Sequence, residues 1–237
     1  KIELSTTVKR MTENEYREIE SSRTVKCSQL LNQDVKEYKL SATERGLPNL
    51  IDGLPPTKRK VVAGALQIPS KELKIFQLGG RIAYEMFYHH GDMSINNTIT
   101  TMAQCFPNAK QYPYLTGIGQ FGSRSEGGKD AASPRYISVR LARPFVHALL
   151  PKDDRYLLSR VSIEGEFAEP THFVPVLPMA VMETLKVPTE GWCHKSYSRD
   201  LDDVINIVNK LIDGERIDDC PLRVSTRDNK GEIKIIK

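Results

Sequence analysis

The sequence predicts an α+β protein in two parts: short helices closed by a strand, then a β-rich region ending in one further helix. Three observations predict it. Apolar residues recur at helical spacing in three successive stretches between Val61 and Phe106. After Pro134 the spacing changes to alternation, with Ile137, Val139 and Leu141 on one face and Tyr136, Ser138 and Arg140 on the other. From Arg155 the pattern becomes β-rich, until an amphipathic helical stripe returns at Val204. Short helices followed by a strand match a winged-helix module, a helix-turn-helix variant with a β extension.

Each element has its own signal. Residues 1–37 are polar and charged, with Glu13, Glu15, Arg17, Glu18 and Glu20 close together, and read as a connector, partly helical from Glu13 to Glu20. The first domain is set at 38–150 and the second at 151–237. Thr57 can N-cap a helix whose apolar positions are Val61, Val62, Ala65 and Leu66. Ser70 can cap the next, with Leu73, Phe76, Ile82, Ala83, Met86 and Phe87 near helical spacing and Gly79-Gly80 weakening its middle. Ser94 opens a third, carrying Ile95, Ile99, Met102, Ala103 and Phe106. Tyr156, Leu158, Val161 and Ile163 suggest a strand, and Phe173, Val174, Val176 and Leu177 another, interrupted by Pro175 and Pro178. Ser198 is expected to cap the last helix, with Asp200, Asp202 and Asp203 in the first turn and Val204, Ile207, Val208, Leu211 and Ile212 as its buried stripe. Asp200 and Asp202 also have the spacing of a metal-binding pair; without a second acidic cluster the capping reading is preferred.

Composition sets bounds. The 237 residues allow one large domain or two small ones, and 39% hydrophobic content suffices for a core. No run is long and apolar enough to span a membrane, and no signal peptide is present. A net charge of +4 suits nucleic acid without demanding it. The chain starts at Lys1 without Met and ends in the charged run Lys230–Lys237, and is read as a piece of a longer polypeptide. Cys27, Cys105, Cys193 and Cys220 form no C-x-x-C pair and have no histidine at zinc-ligand spacing; they are expected to be reduced thiols in a cytosolic or nuclear protein.

The chemistry concentrates at Arg135-Tyr136, inside Gly-Gly-Lys-Asp-Ala-Ala-Ser-Pro-Arg-Tyr. A phenol is a poor nucleophile at neutral pH, since its pKa is about 10. A neighbouring guanidinium favours the phenolate and can hold the phosphate it would attack. The plain alternative is a half-buried aromatic beside a solvated arginine.

Other blocks frame this one: Glu44-Arg45-Gly46-Leu47-Pro48 through Pro55-Pro56, Lys58-Arg59-Lys60-Val61, Tyr88-His89-His90-Gly91-Asp92 and Gly119-Gln120-Phe121-Gly122-Ser123-Arg124. Pro151-Lys152-Asp153-Asp154, Glu169-Pro170, Pro175-Val176-Leu177-Pro178-Met179 and Gly191-Trp192 follow. In this order, over roughly residues 38–215, the chain resembles the breakage-reunion core of type IIA DNA topoisomerases. The unsplit His89-His90-Gly91 is similar to the eukaryotic or viral enzymes rather than to gyrase, and the sequence as a whole, divergent from the cellular eukaryotic enzymes, most resembles those of large cytoplasmic DNA viruses.

The resemblance implies the following. Tyr136 attacks a backbone phosphate, giving a transient 5′-phosphotyrosyl link and a free 3′ hydroxyl, so that a second duplex can pass. Arg135 binds that phosphate, Arg59 and Lys60 add charge near it, and His90, favoured over His89, hydrogen-bonds an oxygen or shuttles a proton. Lys58, Gln120, Arg124, Lys129 and Ser133 contact DNA, and the third helix lies against the major groove. Residues 1–37 link to a metal-binding domain, and the second region begins the family's tower domain. Partners are double-stranded DNA and a second copy of the chain, with no membrane. Magnesium and ATP serve the full-length enzyme from sites outside this segment, which carries neither the family's acidic run nor a Gly-rich nucleotide motif, so the segment alone should bind DNA but cleave it poorly. A viral enzyme would work in the host cytoplasm at replication sites, another in the nucleus.

Two departures stand out. Lys58 replaces the family's usual Gln. Val187-Pro188-Thr189-Glu190-Gly191-Trp192 replaces Gly-Ile-Gly-Thr-Gly-Trp, whose Ile wedges between base pairs. Pro188 falls on the wedge position and is apolar enough to serve. Alternatively it is a hairpin turn residue, and Val187 or nothing intercalates. Two rival functions remain: a non-catalytic winged-helix DNA-binding module, and a tyrosine strand transferase giving 3′-linked products.

Overall fold

The computed structural model describes residues 26–68, 71–107, 109, 111–151, 154–217 and 222–226. The expected helix at Glu13–Glu20, the Ser70 cap and Cys220 lie outside them. The chain divides into two units, Lys1–Ala42 and Thr43–Lys237. The described helical run opens with α1 (Cys27–Leu30), passes through a π-helical stretch at Leu31–Val35 and continues as α2 (Lys36–Gly46).

Three helices build the core of the second unit. In α3 (Pro56–Leu66), Pro56 takes the first helical position, where a missing N–H costs nothing, so Thr57 lies inside the helix and is not its cap. Val61, Val62 and Ala65 are buried. Leu73 and Lys74 form a short strand, β1, instead of the start of a helix; α4 (Ile75–Glu85) follows directly. It runs unbroken through Gly79-Gly80. A Cβ on Gly79 would collide with the Asn96 side chain, and one on Gly64 would come within 2.7 Å of Ile82. These glycines let α3, α4 and α5 approach closely, which offsets their weak propensity. The third helix, α5 (Asp92–Ala103), starts two residues before Ser94 and ends before Phe106; Ile95, Ile99, Met102 and Ala103 face the core.

A three-stranded antiparallel sheet closes this core, with β3 (Ser138–Leu141) between β1 and β2 (Leu115–Ile118). Leu73 pairs with Val139 and Leu115 with Leu141. The strand begins after Tyr136 and not at it, because the Tyr136 N–H donates to Ser133 O at 2.9 Å and closes a turn. Ile137, Ser138 and Val139 are all buried, so Ser138 does not share an outward face with Tyr136 as alternation predicted.

Beyond α6 (Arg143–Leu149), the elements are short. Tyr156 falls in α7 (Asp154–Leu157), so the predicted strand is only β4 (Arg160–Ile163), paired with β5 (Glu166–Pro170). Glu164 and Gly165, both at positive φ, make the turn. Phe173–Leu177 is no strand: the Phe173 N–H donates to Asp52 Oδ2 at 3.0 Å and the Val176 N–H to Leu149 O at 2.8 Å. After α8 (Met179–Met182), β6 (Leu185–Thr189) and β7 (Trp192–Ser196) form a second hairpin. The last helix, α9 (Leu201–Ile212), is capped by Asp200, which accepts from the Asp203 N–H at 3.4 Å, while the Ser198 hydroxyl donates to Ser225 O. Only Val204 of its predicted stripe is fully buried; Leu211 and Ile212 are exposed. Among the described residues no helix is long and apolar enough to cross a membrane, and Cys27, Cys105 and Cys193 are free thiols.

Candidate strand-cleavage site

The segment leading to Tyr136 is a long loop with a built interior. Gly122 and Gly128, at φ +93° and +79°, let its two limbs meet: a Cβ on Gly122 would lie 2.6 Å from Gly128 Cα. The buried Gln104, just after α5, donates from one amide nitrogen to Phe121 O and Gly128 O, each at 3.1 Å, and joins both limbs. Asp130 accepts from the Ser123 N–H at 2.8 Å, and that bond holds its carboxyl below the usual carboxylate range. Gln120 belongs to this scaffold too: its side chain accepts from the Gly122 N–H at 3.0 Å and its carbonyl from the Ala132 N–H at 2.9 Å. Arg124, Lys129 and Ser133 are exposed on the loop.

Tyr136 is fixed through its backbone and free at its ring. The Ile75 N–H donates to Ile137 O and the Phe76 N–H to Pro134 O, so the Tyr136 turn sits on the first turn of α4 and satisfies donors the helix cannot use itself. Lys74 Nζ donates to Tyr136 O at 2.8 Å, while the Lys74 N–H donates to Gln77 Oε1 at 3.1 Å. The Tyr136 side chain is 70% exposed, and Arg135 beside it is exposed as well. Lys74 is the residue sequence reading missed: it is 62 positions from its acceptor, and only the fold brings them together.

Arg59 and Lys60, expected near the phosphate, turn to the interior. Both are buried, at 5% and 9% exposure. Arg59 donates to Asp52 through Nε (2.6 Å) and Nη2 (3.0 Å), and to Leu54 O. Asp52 is completely buried and also accepts from the Leu54 and Phe173 N–H groups. Lys60 Nζ donates to Glu169 Oε2 at 2.7 Å and to Met86 O. Cations so desolvated and paired hold the interior together as structural pins. Lys58, the residue before Arg59, instead lines an open groove of about 660 Å3 along α5, with Gly91, Met93, Asn97 and Thr101. His90 is exposed, its ring edge-on to Tyr88 at 5.3 Å between centroids; His89 Nε2 lies 3.7 Å from the Glu164 carboxylate.

This geometry has known counterparts. The family profile of the DNA gyrase/topoisomerase IV A subunit matches residues 45–225. The chain belongs to the type IIA DNA topoisomerase family. It is 43% identical to DNA topoisomerase 2 of African swine fever virus (isolate Tick/Malawi/Lil 20-1/1983) over 251 residues, 99% of this chain and 21% of the viral protein. It is 36% identical to DNA topoisomerase 2-alpha of Cricetulus griseus over 205 residues, 86% of this chain and 13% of that protein. The solved DNA-binding, cleavage and re-ligation domain of Plasmodium falciparum topoisomerase II superposes with a TM-score of 0.81 at 34% identity, covering 86% of this chain and 28% of that one. The chain thus spans about a fifth of the length of its viral relatives.

The β6–β7 hairpin is where this topoisomerase chain departs from the family pattern. Pro188 is not a turn residue: it pairs with Cys193 inside the hairpin, and Glu190-Gly191, with Gly191 at φ +74°, makes the turn. Pro188 is exposed, whereas Val187 is half-buried and, one residue along a strand, faces the opposite side. A Cβ on Gly46 would lie 2.7 Å from Thr189 Oγ1, so the hairpin tip packs on the Arg45-Gly46 corner.

Proposed function

We propose that this chain is the DNA breakage-and-rejoining segment of a type II DNA topoisomerase. The observation that carries this is Tyr136: a solvent-facing phenol on a backbone held at both its N–H and its C=O, next to an exposed Arg135. Such a residue meets a bulky polymer with little rearrangement. The phenolate oxygen attacks the phosphorus, the P–O3′ bond breaks, the 3′ oxygen takes up a proton, and Tyr136 keeps the 5′ phosphate. Rejoining is the reverse step, so breakage requires no net energy. Arg135 supports the charge on the phosphate, and His90 acts on one of its oxygens or on the proton. The helices α3–α5 and the sheet work as a winged helix, with the Lys58–Asn97 groove of α5 against the major groove and Arg124, Lys129 and Ser133 on flanking phosphates.

The chain covers 21% of its viral relative, and in this reading it is part of a larger dimeric enzyme that uses ATP to pass one duplex through another, relaxing and decatenating DNA. Magnesium and ATP belong, in this reading, to other parts of that enzyme. The similarity to viral relatives favours work in the host cytoplasm.

Trapping the intact enzyme on end-labelled duplex tests the reading. The adduct should be 5′-linked and absent in Tyr136→Phe, while duplex affinity stays within about twofold because the phosphate contacts survive. A 3′-linked adduct, or relaxation by the Phe variant, would sink it.

A further inference from the structure

Behind the strands that hold Tyr136 lies a cavity of about 350 Å3, within the size range of small-molecule sites. Apolar side chains make the larger part of its walls, Ile68, Leu78, Leu115 and Val139 among them. Lys71, Arg140 and Arg143 also line it, and no carboxylate does among the described residues. Arg143 Nε is buried and has no hydrogen-bond partner among the described residues. The cavity walls thus carry three cations and, among the described residues, no carboxylate, and an anion placed there would meet them with charge-assisted hydrogen bonds.

We propose that this cavity binds a small amphipathic anion: an aromatic or aliphatic body carrying one carboxylate, sulfonate or phosphate, with Arg143 as the charge partner of the head group. Both halves of that description follow from the lining. A bare phosphate, or a DNA backbone, has no apolar body to cover Leu115 and Val139; a neutral hydrocarbon leaves Lys71, Arg140 and Arg143 without a counter-charge. The position gives the site a consequence. Val139 and Arg140 belong to β3, which follows the Tyr136 turn, and Leu73 precedes the lysine that donates to Tyr136 O. An occupant therefore bears on both segments that fix this tyrosine.

The probe is 8-anilinonaphthalene-1-sulfonate, with uncharged N-phenyl-1-naphthylamine as its control, titrated into the full 237-residue chain. One sulfonate dye should bind per chain, and millimolar inorganic phosphate should not displace it. Arg143→Met should weaken the sulfonate dye by about tenfold or more, as loss of a charge-assisted contact predicts, and leave the neutral dye within about twofold. Thr116→Phe, which narrows the cavity from a half-buried strand position, should abolish both. If Arg143→Met fails to fold, Arg140→Gln at an exposed position serves in its place. Unchanged sulfonate binding in the arginine variants, or displacement by phosphate alone, overturns the proposal. Tyr136→Phe should bind the dye normally, so the outcome is independent of the cleavage reading.

Discussion

At the scale of single residues, the fold assigns different tasks to side chains of the same charge. Arg135 lies in solvent beside Tyr136, whereas Arg59 and Lys60 hold the interior together. The Lys60–Glu169 pair ties α3 to a strand 109 residues away, and Asp52 ties the Asn49–Leu54 turn to Phe173. Removing one partner strands a buried charge, so Lys60→Met should destabilise the protein by about 3–5 kcal/mol. Lys60→Met with Glu169→Leu should recover most of that loss, since an apolar pair avoids the desolvation penalty. Urea unfolding midpoints check this. A Lys60→Met protein of normal stability but weakened DNA binding would return Lys60 to the phosphate. Arg135→Ala should behave in the opposite way, with unchanged stability and a cleavage rate that falls far more than affinity, because support for developing charge acts in the transition state. Equal losses of rate and affinity would make Arg135 a plain clamp.

At the scale of elements, Gln104 is the fastener of the loop between β2 and Tyr136. Gln104→Leu leaves two carbonyls without their donor in a buried place, at a cost of about 1–3 kcal/mol each. The limbs should part, so proteolysis within 122–130 should accelerate well before global unfolding; equal protection in the variant would show that the glycine contact alone holds the loop. Asp130 adds a pH dependence. Its folded-state pKa is depressed, so its contribution to loop order is present above the ordinary carboxylate value of about 4 and is lost as pH falls through the folded value. Amide exchange at Ser123, corrected for intrinsic rates, should rise between neutral and strongly acidic pH, and Asp130→Asn should flatten that response. The helices of this region were legible in the sequence because Val61, Ile82, Ile95 and their neighbours repeat at one period on one face. The strands were less so. Leu73-Lys74 is too short to alternate and exists only because Val139 and Ser138 pair with it. Phe173–Leu177 has a strand's composition, but its donors go to Asp52 and Leu149, partners no local pattern reveals.

At the scale of the whole molecule, a net charge of +4 is too small to hold DNA by itself, and the placement of the cations decides. Tyr136 and Arg135 of one block face solvent, whereas Arg59 and Lys60, two cations of an equally recognisable block, face inward. In the proposed function the phosphates fall to the exposed Arg124, Lys129 and Arg135 on the loop, with the half-buried Lys58 at the groove of α5. Each phosphate they neutralise releases condensed counterions, so the logarithm of affinity should fall linearly with the logarithm of salt, with a slope of about −0.9 per contact on duplex DNA. Arg124→Gln and Lys129→Gln should each make that slope shallower by about one unit, and Arg59→Gln should leave it unchanged even where it lowers stability. Fluorescence anisotropy on a short duplex between low and moderate salt measures all three. A flat response in the parent chain would mean that these cations do not line a duplex track. A shallower slope in Arg59→Gln, measured on folded protein, would mean that the Asp52 pair opens on binding and that the interior arginine reaches DNA after all.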